Sequence, residues 1–151
     1  YARTYSRSAI FGSGFSTQEE FIYLINLKVF GEMTKIDLIR KNVHEKPAGM
    51  QIINRLIAHG WVDQVNSETD KRSKILKITT KGLDVLNSQM DRIRQATEMV
   101  TGNLTPNEKL ELIRLLGKLD AFHQLIYDQH IPPKQLLDQV VKRKNYEGET
   151  I

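Results

Sequence analysis

The 151-residue chain contains no cysteine. That single absence excludes disulfides, thiolate zinc sites, cysteine nucleophiles and thiol redox sensing. Long apolar runs are missing too: none approaches the ~18 residues that a membrane-spanning helix requires, and no signal peptide is visible. A cytoplasmic protein with no membrane partner is the expectation. Histidine is scarce, and His44, His59, His123 and His130 form no His-x-x-His or Glu-x-x-His cluster that would hold a metal. The serines have no paired base in a recognisable frame and the carboxylates are scattered, so neither catalysis nor a bound cofactor is expected.

What is present is an ordinary globular composition, 40% hydrophobic and 26% charged. A chain of this length buries about two-thirds of its unfolded surface, enough for one domain, or one domain with a helical arm. The net charge of +4 is unevenly spread. Residues 34–82 hold ten Lys/Arg against five acids, whereas the other 102 residues hold twelve against thirteen. The excess positive charge therefore lies in one third of the chain, which suggests a polyanionic partner.

The spacing of apolar residues and caps predicts a mainly α protein with a small β element. Ser16-x-x-Glu19 has the form of a capping box. It opens a helix through Phe21, Ile22, Leu24, Ile25, Leu27, Val29 and Phe30, apolar nearly all round and expected to be buried, with Gly31 as its stop. Thr34-x-x-Asp37 starts a second helix, and Glu45-Lys46-Pro47 turns into a third that carries Ile52, Ile53, Leu56 and Ile57 on one face and ends at Gly60. Two short helices with a brief turn make a helix-turn-helix. Two apolar runs then flank the bare polar stretch from Asn66 to Lys74, which reads as a hairpin with a long charged finger. A long helix follows with Leu83, Leu86, Met90, Ile93, Thr97 and Val100 as a packing seam. Thr105-Pro106-Asn107-Glu108 caps another, rich in leucine from Leu112 to Leu125, until Ile131-Pro132-Pro133 interrupts it.

In that order, Arg55-Leu56, Gly60-Trp61-Val62, Asp70-x-Arg72-Ser73 and Ile78-Thr79-x-x-Gly82 resemble the multiple antibiotic resistance regulator (MarR) family over about residues 1–127. The resemblance implies a winged helix-turn-helix with a helical dimerisation region built from the N- and C-terminal helices. Residues 1–15 would be an N-terminal dimerisation segment, 16–82 the DNA-binding winged helix, 83–130 the helical dimerisation region and 131–151 a tail. Two features depart from the family. Its long first helix is represented by Tyr1 to Ile10 alone, so either the chain is truncated or the dimer contacts differ. The reading helix begins Lys46-Pro47-Ala48-Gly49 where the family often has Ser or Thr.

The finger would then be a wing. Arg72 would enter the minor groove, whose narrow form concentrates negative potential, with Asp70 holding it extended. Lys71, Ser73 and Lys74 would lie along the phosphate backbone. On the third helix Ala48, Gln51 and Arg55 share a face, and suit a thymine methyl, adenine and guanine respectively. Arg55 can instead bind phosphate or brace the helix. Thr34 and Lys35 would meet a phosphate at the preceding helix start, and Lys46 completes the DNA-binding set. The implied protein is a homodimeric repressor of double-stranded DNA at an inverted repeat, responsive to a small aromatic effector. Met33, Met50, Met90 and Met99 either line that effector's pocket or belong to the core. A winged-helix protein-interaction module and a sequence-blind nucleoid-type DNA binder are the alternatives.

Overall fold

The computed structural model describes residues 1–66 and 74–146, which form seven helices and three short strands in two compact units, Tyr1–Gly102 and Asn103–Ile151. The first unit opens with α1 (Ala2–Ile10) and α2 (Gln18–Phe30), followed by the two-residue β1 (Met33–Thr34). The helix-turn-helix is α3 (Lys35–Lys41) and α4 (Lys46–Ala58). The hairpin is β2 (Val62–Asn66) and β3 (Lys74–Ile78), and α5 (Thr80–Thr101) closes the unit. The sheet is antiparallel in the order β1-β3-β2. Its register pairs Val62 with Ile78 and Asn66 with Lys74, so both ends of the polar stretch belong to the strands and only residues 67–73 connect them.

The core is mostly aliphatic. Leu24, Leu38, Ile53, Leu56, Leu76 and Leu86 are fully buried with Tyr23, drawing one face from each of α2, α3, α4, β3 and α5. Trp61 packs on Phe15 at a ring separation of 5.0 Å. Thr79 fastens the hairpin to α5: its hydroxyl donates to the Gly60 carbonyl at 2.8 Å and accepts from Gly82 N–H, while its own N–H donates to the Trp61 carbonyl. Gly82 is required at this latch, since a Cβ there would collide with the Trp61 carbonyl.

Two expectations about α2 need correction. Its N-cap is Thr17, without a side-chain cap bond, and Ser16 N–H donates to Glu20 at 2.8 Å, one residue beyond the acid that a capping box would use. Nor is the helix buried all round: Phe21, Tyr23, Leu24 and Leu27 face the core, but Ile22, Val29 and Phe30 are exposed, with Lys41 Nζ lying over the Phe30 ring. Of the methionines, Met33, Met50 and Met90 pack against the core while Met99 is exposed.

The second unit contains α6 (Pro106–Tyr127) and α7 (Pro133–Tyr146). The Thr105–Glu108 capping box is complete, with Thr105 N–H donating to the Glu108 carboxylate at 2.7 Å and Glu108 N–H to the Thr105 hydroxyl at 3.3 Å. These bonds, first the backbone one, hold the Glu108 carboxyl below its ordinary value. No residue of α6 is buried, although Leu112, Leu115, Leu116, Leu119 and Phe122 lie along it. Among the described residues no helix is long and apolar enough to cross a membrane.

Candidate nucleic-acid interface

The helix-turn-helix is fixed from beneath by α2. Asn26 donates to Asn42 at 2.9 Å, and Asn42 donates in turn to the Leu38 carbonyl, closing α3. Val43 follows with φ of 52°, a left-handed turn residue. His44 then meets the hydroxyl of fully buried Tyr23 at 2.9 Å, its ring stacked on the tyrosine. The chain enters α4 here, and Gly49 on its first full turn lies so close to α3 that a Cβ would fall within 3.0 Å of Ile39 and of the Tyr23 hydroxyl. The two helices can approach this closely because the side chain is absent.

That packing leaves Lys46, Ala48, Gln51 and Asn54 on the exposed side of α4, opposite buried Ile52, Ile53 and Leu56. Lys46 stands at the first helical position, and the first turn contains no acid. A cation at the positive end of a helix is disfavoured unless an anion lies nearby, and the acid beside Lys46 is Glu45, the N-cap residue, which makes no side-chain cap bond. The start of α3 differs. The Thr34 hydroxyl accepts from Asp37 N–H at 3.1 Å and donates to the Asp37 carboxylate at 2.7 Å, so an internal acid already occupies that end. Thr34 and Lys35 are both half-buried there.

Arg55 occupies the margin between the exposed and packed faces of α4. Its Nε donates to Glu20 on α2 at 2.5 Å; the Glu20 side chain is wholly buried, whereas that of Arg55 is 39% exposed. A second cation in the basic segment, Lys77, pairs with Glu32 at 2.8 Å. Both acids precede the basic segment, so a count over residues 34–82 overstates the free charge on this surface. Lys74 is exposed at the base of the finger. Asp70, Lys71, Arg72 and Ser73 lie outside the described residues.

Glu20, the Tyr23–His44 contact and the steric demand at Gly49 emerge from the fold. Glu20 carried a usable signal: an acid amid the apolar residues of a helix expected to be buried needs a cationic partner. A cavity of about 480 Å³ lies between α1 and the start of α2, with Arg3, Arg7, Phe11, Phe15 and Thr17 among its lining. A shallower groove of about 330 Å³ between α1 and α5 includes Met99.

Residues 13–73 match the model of the MarR family. The chain is 26% identical over 103 residues to the transcriptional repressor NicR of Pseudomonas putida, covering 68% of this chain and 65% of NicR. It thus spans slightly less than two thirds of that relative. Over 104 residues it is 27% identical to the multiple antibiotic resistance protein MarR of Escherichia coli, covering 68% of this chain and 72% of that one. Among solved structures it is similar to Bordetella bronchiseptica BpsR, described for regulation of its DNA binding by 6-hydroxynicotinic acid, at a TM-score of 0.70 and 21% identity over 79% of this chain and 84% of that one. It is also similar to a mutant E. coli MarR complexed with operator DNA, at a TM-score of 0.69 and 23% identity over 78% and 84% of the respective chains. At these identities the structures establish a shared fold.

Proposed function

Because residues 13–73 match the model of the MarR family, we propose that the chain is a sequence-specific double-stranded DNA-binding transcriptional regulator, a ligand-responsive repressor that acts as a homodimer on an inverted repeat. The observation carrying this reading is the exposed face of α4, where Gln51 stands beside Ala48 with Lys46 exposed at the helix start, in the segment that holds the chain's excess positive charge. Gln51 reads adenine through its amide and Ala48 contacts a thymine methyl. Lys46 and Lys35 meet phosphates. The finger supplies Lys71, Ser73 and Lys74 to the backbone and Arg72, steadied by Asp70, to the minor groove.

Dimerisation is supported by α6, whose leucines have no buried member within the chain; a second copy would cover an apolar face that a lone protomer leaves in water. The two reading helices would then meet successive major grooves, about 34–36 Å apart. The small-molecule effector would be an aromatic anion held in the cavity between α1 and α2, with Arg7 and Arg3, the latter already facing Glu19 of the same lining, answering its charge and Phe11 and Phe15 its ring. Equilibrium binding to duplex DNA over a salt series tests the reading. Affinity should fall steeply as salt rises. Salt-insensitive or absent binding would favour a protein-interaction module, and footprints without a preferred palindrome a nucleoid-type binder.

A further inference from the structure

We propose that Glu20 is a positioning residue for DNA recognition, holding Arg55 of α4 so that its guanidinium is ordered before DNA arrives. This inference rests on the DNA-binding reading above and adds to it the role of Arg55 and the group that sets it.

Glu20 belongs to α2, 35 residues from its partner, and its side chain is completely buried. Both of its oxygens are engaged: Oε2 accepts Ser16 N–H at 2.8 Å and Oε1 accepts Arg55 Nε–H at 2.5 Å. The carboxylate is thus pinned by backbone on one side and has little freedom on the other. Arg55 has five N–H donors in a planar fork, and Glu20 takes the one at Nε, leaving the Nη donors unclaimed by this pair. With 39% of its side chain exposed, Arg55 reaches water from a fixed base. It follows Gln51 by one helical turn, on the flank of the exposed face.

An unrestrained arginine surrenders rotamer freedom when it binds, and a preorganised one surrenders less. The remaining fork suits an acceptor pair on duplex DNA, either two phosphate oxygens or the O6 and N7 of guanine. Position 20 therefore contributes to DNA affinity without touching DNA.

The test uses the full chain, a duplex selected by the wild type, a random duplex and a salt series. Glu20→Gln, Arg55→Lys and the double variant are compared, with thermal melting as a check on folding. Either single change should weaken binding to the selected duplex roughly tenfold. In the Arg55→Lys background, Glu20→Gln should cost nothing more, because Glu20 acts through the fork that lysine lacks. A phosphate contact appears as a loss shared by random duplex, with the salt slope reduced by about one; a guanine contact appears as relaxed preference at one base position. Both outcomes support the proposal. Should Glu20→Gln fail to fold, Glu20→Asp, which keeps the charge but draws the carboxylate back from Arg55, takes its place, and a loss of affinity that vanishes in the Arg55→Lys background is expected. Folded variants that keep wild-type affinity, slope and preference overturn it, as does a fully additive double variant. If the wild type binds no duplex, the DNA-binding reading falls first and takes this inference with it.

Discussion

Replacing Gly49 by alanine sets two opposed effects against each other. In a helix interior alanine is favoured over glycine by about 1 kcal/mol, because glycine loses more backbone freedom on folding. At Gly49 the new Cβ would fall within 3.0 Å of two Ile39 side-chain carbons and the Tyr23 hydroxyl. Neither neighbour yields cheaply. Ile39 is β-branched and 3% exposed, and Tyr23 is fully buried with its hydroxyl on His44. Overpacking of this kind costs about 1–3 kcal/mol, and two stiff neighbours place it near the upper end. The net expectation is destabilisation by about 2 kcal/mol, a large part of an ordinary domain's margin. Gly117 is the internal control: it lies within α6 with nothing within 4 Å of a built Cβ, so Gly117→Ala should stabilise by up to about 1 kcal/mol. Urea denaturation at fixed protein concentration reads both, with Gly49→Ala lowering the midpoint by roughly 1 M for a slope of about 2 kcal/mol/M. Gly49→Ala matching or exceeding wild-type stability would refute the close approach of α3 and α4.

Arg55→Ala should destabilise by about 3 kcal/mol, the lower end for breaking a buried pair, because Glu20 is left buried while the arginine was already partly hydrated; a urea midpoint shift as small as an exposed ion pair gives would contradict this. Arg72→Ala should weaken operator binding by more than about 1 kcal/mol, and Gln51→Ala should relax preference at a single base position, both read by titrating operator variants; unchanged values count against those assignments. Leu116→Glu together with Leu119→Glu should convert a dimer into monomers in sedimentation at micromolar concentration, since the paired charges would have to be buried at the interface; an unchanged dimer would move the interface off α6.

Much of the architecture was written in local signals. Thr34 and Thr105 act as caps three residues before an acid, Gly31 and Gly60 take the left-handed backbone that ends a helix, and the apolar runs around the finger pair in register. What could not be read depends on partners distant in sequence. Glu20 rather than Glu19 receives Ser16 N–H, because a wholly buried acid must also satisfy Arg55, a contact that no local pattern encodes. The strand β1 is two residues long and exists only through its pairing with β3, so periodicity had nothing to detect. Gly49 looked like an ordinary helical glycine until α3 was placed against it. The positive charge of the basic segment was legible as a sum, but Glu20 and Glu32 lie outside it and offset two of its cations.

The central claim is that a reading helix and a cationic finger, doubled by symmetry, engage a palindromic duplex. Selection of bound fragments from a random duplex pool by the full chain, with affinities then measured between low and moderate salt, tests it most directly. The account predicts enrichment of an inverted repeat with half-sites about 10 base pairs apart centre to centre. It also predicts a slope of log affinity against log salt near about −7, from Lys35, Lys46, Lys71 and Lys74 of two protomers each meeting a phosphate. A pool that stays unenriched, or a flat salt response, would contradict it.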